Sequence, residues 1–238
     1  MGKLEGLKSL YKSVLIYGVP GVGKTKSLGY LKGKTLILDI DVGTSVLAES
    51  DADIEVVRFN SDLLVSECYP ANIFAKGTKF IEVINSLSQK NKYDNIALDS
   101  ISELEKRMLT LYGKIDSGRG ASKDGVPSQG DYQKVQFKLL DIVRLIRDIK
   151  SNLILTAWEG LNEYSSSDGS KYNQSVPLIN NKVRDNICGL MDIIANLVIS
   201  EKEESKGQRF FNLTLSNRAI CRDRLNPNRA FCAIGELI

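Results

Sequence analysis

One octapeptide constrains this chain more than any other feature. Gly18-Val19-Pro20-Gly21-Val22-Gly23-Lys24-Thr25 fits G-x-x-x-x-G-K-[ST], directly after the apolar run Val14 to Tyr17 and directly before a helical pattern. The glycines let successive backbone N–H groups turn inward in conformations that a Cβ would obstruct, and the following helix adds its positive N-terminal end. Such a loop is built for polyphosphate and demands a strand-loop-helix frame. Lys24 is expected to reach the β- and γ-phosphates, and the Thr25 hydroxyl to be a direct Mg²⁺ ligand. Gly18, Val19, Pro20, Gly21, Val22, Gly23, Lys24, Thr25 and Ser27 are the expected nucleotide contacts, with ATP and Mg²⁺ as cofactors.

The rest of the chain supplies a frame of that kind. Val14 to Tyr17, Thr35 to Ile40, Asn95 to Asp99 and Asn152 to Ala157 are continuous apolar runs, which predict strands covered on both faces and hence a parallel sheet. Helical patterns lie between them at Thr25 to Leu31, Lys76 to Lys90, Ile101 to Tyr112 and Tyr132 to Lys150. Met191 to Ser200 and Arg209 to Leu215 read as further strands, with Asn217 to Arg222 a candidate third, arranged around the turn-forming Glu201 to Gly207. The expected fold is α/β: one domain over residues 1–238, with a mostly parallel central sheet flanked by helices and an antiparallel C-terminal extension. Gly113 to Gly130 and Gly160 to Pro177, rich in Gly, Ser, Asp and Lys, read as two long loops.

Composition narrows the chemistry. The formal charge is +3 and there is no histidine, which excludes His-dependent triads, His bases and the usual His-rich zinc sites. Proton transfer is left to carboxylates, Lys, Tyr, Cys or water. The four cysteines, Cys68, Cys188, Cys221 and Cys232, form no C-x-x-C pair, so reduced thiols are expected. No segment has the apolar length of a signal peptide or a membrane span, and a cytoplasmic location is the expectation, without a membrane partner.

Two acidic strand ends are the candidates for catalysis. Ile96-Ala97-Leu98-Asp99-Ser100 ends an apolar run with an acid suited to hold Mg²⁺ through water. Asp99 could equally be the N-cap of the helix from Ile101, a role open to Ser100 as well. The run Leu36 to Asp41 ends in Asp39 and Asp41, and Asp41 is the preferred general base, with Asp39 as the fallback. The alternative for Asp41 is a turn-former before Gly43.

The order of these elements resembles the RecA-like ATPase core. More closely, Leu15 to Thr25, together with Leu38-Asp39-Ile40-Asp41 and Thr156-Ala157-Trp158-Glu159, is similar to the phage nucleotide-binding AAA-type family, which includes Sak-type single-strand annealing proteins. The resemblance implies a phage-encoded ATPase that handles single-stranded DNA in recombination, annealing or replication. It implies that Asp41 is the catalytic carboxylate, with Lys24 and Asp99 beside it. It makes Leu153 to Ala157 the strand that senses the γ-phosphate, with Thr156, Trp158 and Glu159 as the sensor candidates. Trp158 departs from the small amide or imidazole of that pattern, and a packed aromatic is its alternative. The two long loops fall where RecA-like proteins bind DNA. Lys114, Arg119, Lys123, Tyr164, Lys171 and Tyr172 are the candidate contacts, against the alternative of solvated loops. Arg222 and Arg224 resemble the basic pair that ring ATPases extend to a neighbour's nucleotide, which implies a homo-oligomer, ring or filament; plain surface arginines are the alternative. A single-strand-binding protein is a further candidate partner.

Two other classes compete. A nucleotide or nucleoside kinase needs an arginine-rich lid, whereas Gly113 to Gly130 offers only Arg119. An ATP-switched accessory protein for a helicase or packaging machine would bind ATP and scarcely turn it over.

Overall fold

The computed structural model describes residues 11–58, 89, 93–115, 125–165 and 169–238. The expected helix Lys76 to Lys90 lies almost wholly outside them, as do Arg119, Lys123 and the side chains of Lys114 and Tyr164.

β1 (Ser13–Gly18), β2 (Thr35–Asp39), β4 (Asn95–Asp99) and the first half of β5 (Asn152–Ser165) are the four apolar runs. Side chains alternate across a strand, so each run must be covered twice. Leu15, Leu36, Leu38, Leu98 and Leu155 face one core with Leu104, Met108, Leu139 and Ile146, while Val14, Ile16, Ile37, Ala97 and Ile154 face a second core with Leu28, Leu47 and Phe211. The first core lies under α2 (Ile101–Ile115), α3 (Gln129–Arg147) and α4 (Asn181–Leu190). The second is closed by α1 (Lys24–Ser27), by the 3-10 turns Leu28–Tyr30 and Thr44–Leu47, and by the C-terminal strands.

The sheet order is β10-β8-β7-β1-β5-β4-β2-β3, where β3 is Ile54–Arg58, β7 is Ile193–Ile199, β8 is Arg209–Asn212 and β10 is Phe231–Ala233. From β7 to β3 every pairing is parallel, and β8 and β10 extend the sheet antiparallel beyond β7. The expected α/β class, a mostly parallel sheet flanked by helices with an antiparallel C-terminal extension, is the one observed. Parallel strands present their carboxyl ends along a single edge, so Gly18, Asp39 and Asp99 emerge side by side.

Several elements differ from expectation. Helix Thr25 to Leu31 is one α turn continued as a 3-10 turn, and Tyr132 to Lys150 runs from Gln129 to Arg147. The start of α3 is set by a capping box. The Ser128 hydroxyl accepts from the Asp131 N–H, and the Asp131 carboxylate accepts from the Ser128 N–H at 2.8 Å, a pairing worth about 1 kcal/mol. The loop Gly160 to Pro177 is instead an antiparallel ribbon: β5 continues through Ser165 and pairs with β6 (Lys171–Pro177), Glu159 opposite Pro177 and Ser165 opposite Lys171. Its polar residues need no core of their own, because cross-strand hydrogen bonds order the ribbon and a neighbouring segment ties it at the side: the Ser175 N–H donates to the Arg218 carbonyl at 2.8 Å and the Ile220 N–H to the Ser175 carbonyl at 3.1 Å. Asn217 to Arg222 contributes a bridge at Ala219 and the short β9 (Arg222–Asp223) on β7.

At the opposite edge, where the parallel strands begin, polar groups are matched within the chain. The Ser13 N–H and Oγ donate to Asp192 at 2.9 and 2.8 Å. Asp223, almost fully buried, pairs with Arg229 at 2.7 Å and accepts from the Leu225 and Asn226 N–H groups, both at 2.9 Å. Among the described residues no helix is long and apolar enough to cross a membrane.

Candidate active site

Gly18 ends β1 opposite Trp158 of β5, and the P-loop turns away from the sheet there. A Cβ on Gly18 would stand 2.6 Å from the Leu197 carbonyl oxygen of β7, so only glycine lets the loop leave the sheet this closely. Gly21 and Gly23 have φ of 78° and 106°, the left-handed turns from which backbone amides converge on an anion. Lys24 folds over the loop and donates to the carbonyls of Gly18 at 2.9 Å and Val19 at 3.1 Å. Burial lowers its pKa, and the carboxylates of Asp99, Asp41 and Glu159 oppose that shift.

The acids at the strand ends take separate parts. Asp99, 1 % exposed, accepts from the Thr25 hydroxyl at 2.7 Å through one oxygen and from the Thr156 hydroxyl through the other. Burial pushes its carboxyl above the ordinary range; the two hydroxyls pull it back, and Asp41 and Asp39 add to the rise. The capping role open to Asp99 falls to Ser100, whose Oγ accepts from the Glu103 N–H at 3.2 Å. Asp99 is thereby left facing Thr25.

Asp39 and Asp41 diverge although they lie two residues apart. Asp39 is fully buried and accepts from the Thr44 hydroxyl at 2.6 Å and the Gly43 N–H at 3.2 Å, with Arg58 at 3.7 Å. It ties down the turn after β2. Asp41 lies on the cleft wall, where its Oδ1 accepts from the Ser100 N–H at 3.1 Å and hydroxyl at 2.8 Å, and its Oδ2 from the Trp158 indole at 3.1 Å. Val42, next in the chain, has φ 58°, a left-handed conformation that costs a β-branched residue about 1–2 kcal/mol.

Lys24, Thr25, Asp41, Asp99 and Trp158 thus line one cleft of about 550 Å³. Among the described residues no group of three acids or cysteines could hold a metal alone. The donor set suits Mg²⁺ instead: one hydroxyl and one carboxylate, the remaining positions going to phosphate oxygens and water. The converging glycine turns, the buried lysine and the Thr25–Asp99 pair all fit Mg²⁺-ATP.

Other expected residues are placed elsewhere. Ser27 is buried and returns its hydroxyl to the Lys24 carbonyl at 2.5 Å. Glu159 accepts from Ser175 at 2.8 Å and Asn196 at 3.2 Å, behind the cleft. Arg222 donates to the Cys188 and Met191 carbonyls, both at 2.5 Å, and Arg224 to that of Gly189 at 3.2 Å. Both arginines thereby cap the end of α4, at the sheet edge away from the P-loop. Lys171 pairs with Glu163 at 2.6 Å on the ribbon, and Tyr172 lies beside it opposite Tyr164. Among the cleft residues that escaped the sequence reading, with Lys26 and Val46, is Arg209 of β8, which donates to the Val22 carbonyl at 2.9 Å and lies against Gly23. Only the sheet order, which sets β8 two strands from β1, brings it there.

No curated protein matches the sequence. Among solved structures, a KaiC-like protein of the hyperthermophilic archaeon Pyrococcus horikoshii is similar at 14 % identity and a TM-score of 0.49, over 93 % of this chain and 82 % of that one. The family described as AAA domain matches residues 10–225, a span that takes in β1 to β9. The chain belongs to the AAA domain family.

Proposed function

We propose that the protein binds Mg²⁺-ATP in this cleft, hydrolyses it with Asp41 as general base, and couples the cycle to single-stranded DNA as a phage-type, RecA-like ATPase of recombination, annealing or replication. The observation that carries the hydrolytic reading is the placement of Asp41 in one cleft with Lys24, Thr25 and Asp99. Lys24 exchanges its two carbonyl partners for β- and γ-phosphate oxygens and offsets their charge. Thr25 and Asp99 would hold Mg²⁺, which would supply further positive charge there. Asp41 Oδ1 takes two donors and Oδ2 only one, so Oδ2 keeps a lone pair for the attacking water. The water's proton passes to Asp41 as its oxygen attacks the γ-phosphorus, and the bond to the β-phosphate oxygen breaks to give ADP and phosphate.

The DNA reading is supported by the family resemblance and by the ribbon that continues β5. Its Lys171–Glu163 pair is two-thirds exposed, a weak surface contact that a DNA phosphate can displace, and Leu161 is 64 % exposed for a base to lie on. Nucleotide sites shared within a homo-oligomer complete the proposal. The test is the ATPase rate with and without long single-stranded DNA across protein concentration. Stimulation, with a rate per subunit that rises with concentration, is expected. A rate indifferent to both refutes the DNA and oligomer parts while leaving hydrolysis standing.

A further inference from the structure

We infer that Trp158 is a positioning residue for hydrolysis: its indole N–H fixes the Asp41 carboxylate so that the remaining lone pair of Oδ2 faces the water. The inference rests on the reading of Asp41 as base. Asp41 lies beyond the end of β2, on a chain turning through the left-handed Val42; its N–H donates to the Asp99 carbonyl at 3.1 Å, which ties down its backbone and leaves the direction of its side chain to other partners. A base acts only within hydrogen-bond reach of its proton, so an unheld carboxylate spends most of its time misplaced. Ser100 holds Oδ1 with two donors. Two bonds to one oxygen leave the carboxylate free to swing about that point. The Trp158 indole, at 3.1 Å from Oδ2, removes this freedom.

Trp158 is itself held from several sides. It stands in register with Gly18, its N–H donates to the Ser102 hydroxyl at 2.9 Å, and its carbonyl accepts from the Leu178 N–H at 2.7 Å. Lys106 places its ammonium 4.0 Å from the ring centroid, a cation–π contact that locks the ring from outside. Among the described residues, Trp158 and Ser100 are the groups that hydrogen-bond the Asp41 carboxylate.

Donor and packing roles separate in a pair of variants. Trp158→Phe keeps the ring and loses the N–H; Trp158→His keeps a ring N–H and loses volume. Losing a hydrogen bond to a charged group predicts that Trp158→Phe lowers kcat about tenfold or more, with KM for Mg²⁺-ATP within about twofold. Trp158→His should turn over faster than Trp158→Phe although it melts at a lower temperature, because the donor and not the volume is what hydrolysis needs. Reversed orders of kcat and Tm support the inference. A Trp158→Phe enzyme with unchanged kcat, or kcat that follows Tm across the two variants, overturns it, provided that Asp41→Asn is inactive. If Asp41→Asn hydrolyses ATP at the full rate, the base assignment fails and the inference falls with it.

Discussion

The two edges of the central sheet solve opposite problems. Where the strands begin, most charges are answered: Asp192 by Ser13, Asp223 by Arg229 and two backbone amides, and Arg222 by two carbonyls, although its buried Nε has no partner. Where they end, Asp39, Asp41 and Asp99 crowd together near a buried lysine, and burial drives both Asp99 and Lys24 toward their neutral forms. Like charges gathered at a buried edge are a cost the free protein carries until a polycation or polyanion arrives. The first edge stabilises the fold; the second stores the capacity to bind.

The sharpest way to break this contrast is at Lys24. Lys24→Ala should lower kcat/KM for ATP by about 10³-fold or more, since the phosphates lose their buried cation, while Tm stays near wild type. Unchanged ATPase activity would remove the site. The mirror experiment is Asp223→Ala at the far edge, which strands Arg229 and two amides. It should destabilise the protein by about 3 kcal/mol in denaturant titration, with kcat per folded molecule retained. Loss of activity without loss of stability would show that the edges are not separate.

The smallest effect on stability, and the most telling, is expected at Asp99. Asp99→Asn should abolish turnover yet raise the nucleotide-free Tm by roughly 2–4 °C, because a buried like-charge contact disappears at about 1 kcal/mol. The sign of the pH dependence follows. The folded carboxyl binds its proton more tightly than the unfolded one, so its contribution is whole below the ordinary carboxylate range and is lost as pH rises through the elevated pKa. The free protein should therefore lose stability at this position between acid and neutral pH, and Asp99→Asn should flatten that slope in pH-dependent melting. A lower Tm for Asp99→Asn would mean that the hydroxyls of Thr25 and Thr156 outweigh the strain.

What the sequence disclosed follows the same division. β1, β2, β4 and the first half of β5 are buried on both faces, so their apolar runs are written into every residue, and the glycines of the P-loop answer a backbone demand no other residue meets. The ribbon of β5 and β6 was hidden because it is held mainly by backbone hydrogen bonds, across its two strands and to Arg218 and Ile220, and these demand no apolar pattern. β3, with Glu55 and Arg58 between apolar residues on an edge strand, carried too short a signal, and α4 begins from a single Asn180 cap. Asp39 and Asp41 were both legible as acids at a strand end. Which one faces the cleft depends on the turn at Val42 and on partners in β5 and after β4, and these are facts of topology. Arg209 belongs to the same class, a side chain given its place by strands far from it in sequence.

β5 is a single strand of 14 residues with two lives. Its first half is clamped between β1 and β4, and its second half leaves the sheet as a ribbon with β6. At the junction stand Thr156 and Trp158, one bonded to Asp99 and the other to Asp41. Whatever engages the ribbon therefore shares a continuous backbone with the residues that hold both cleft carboxylates.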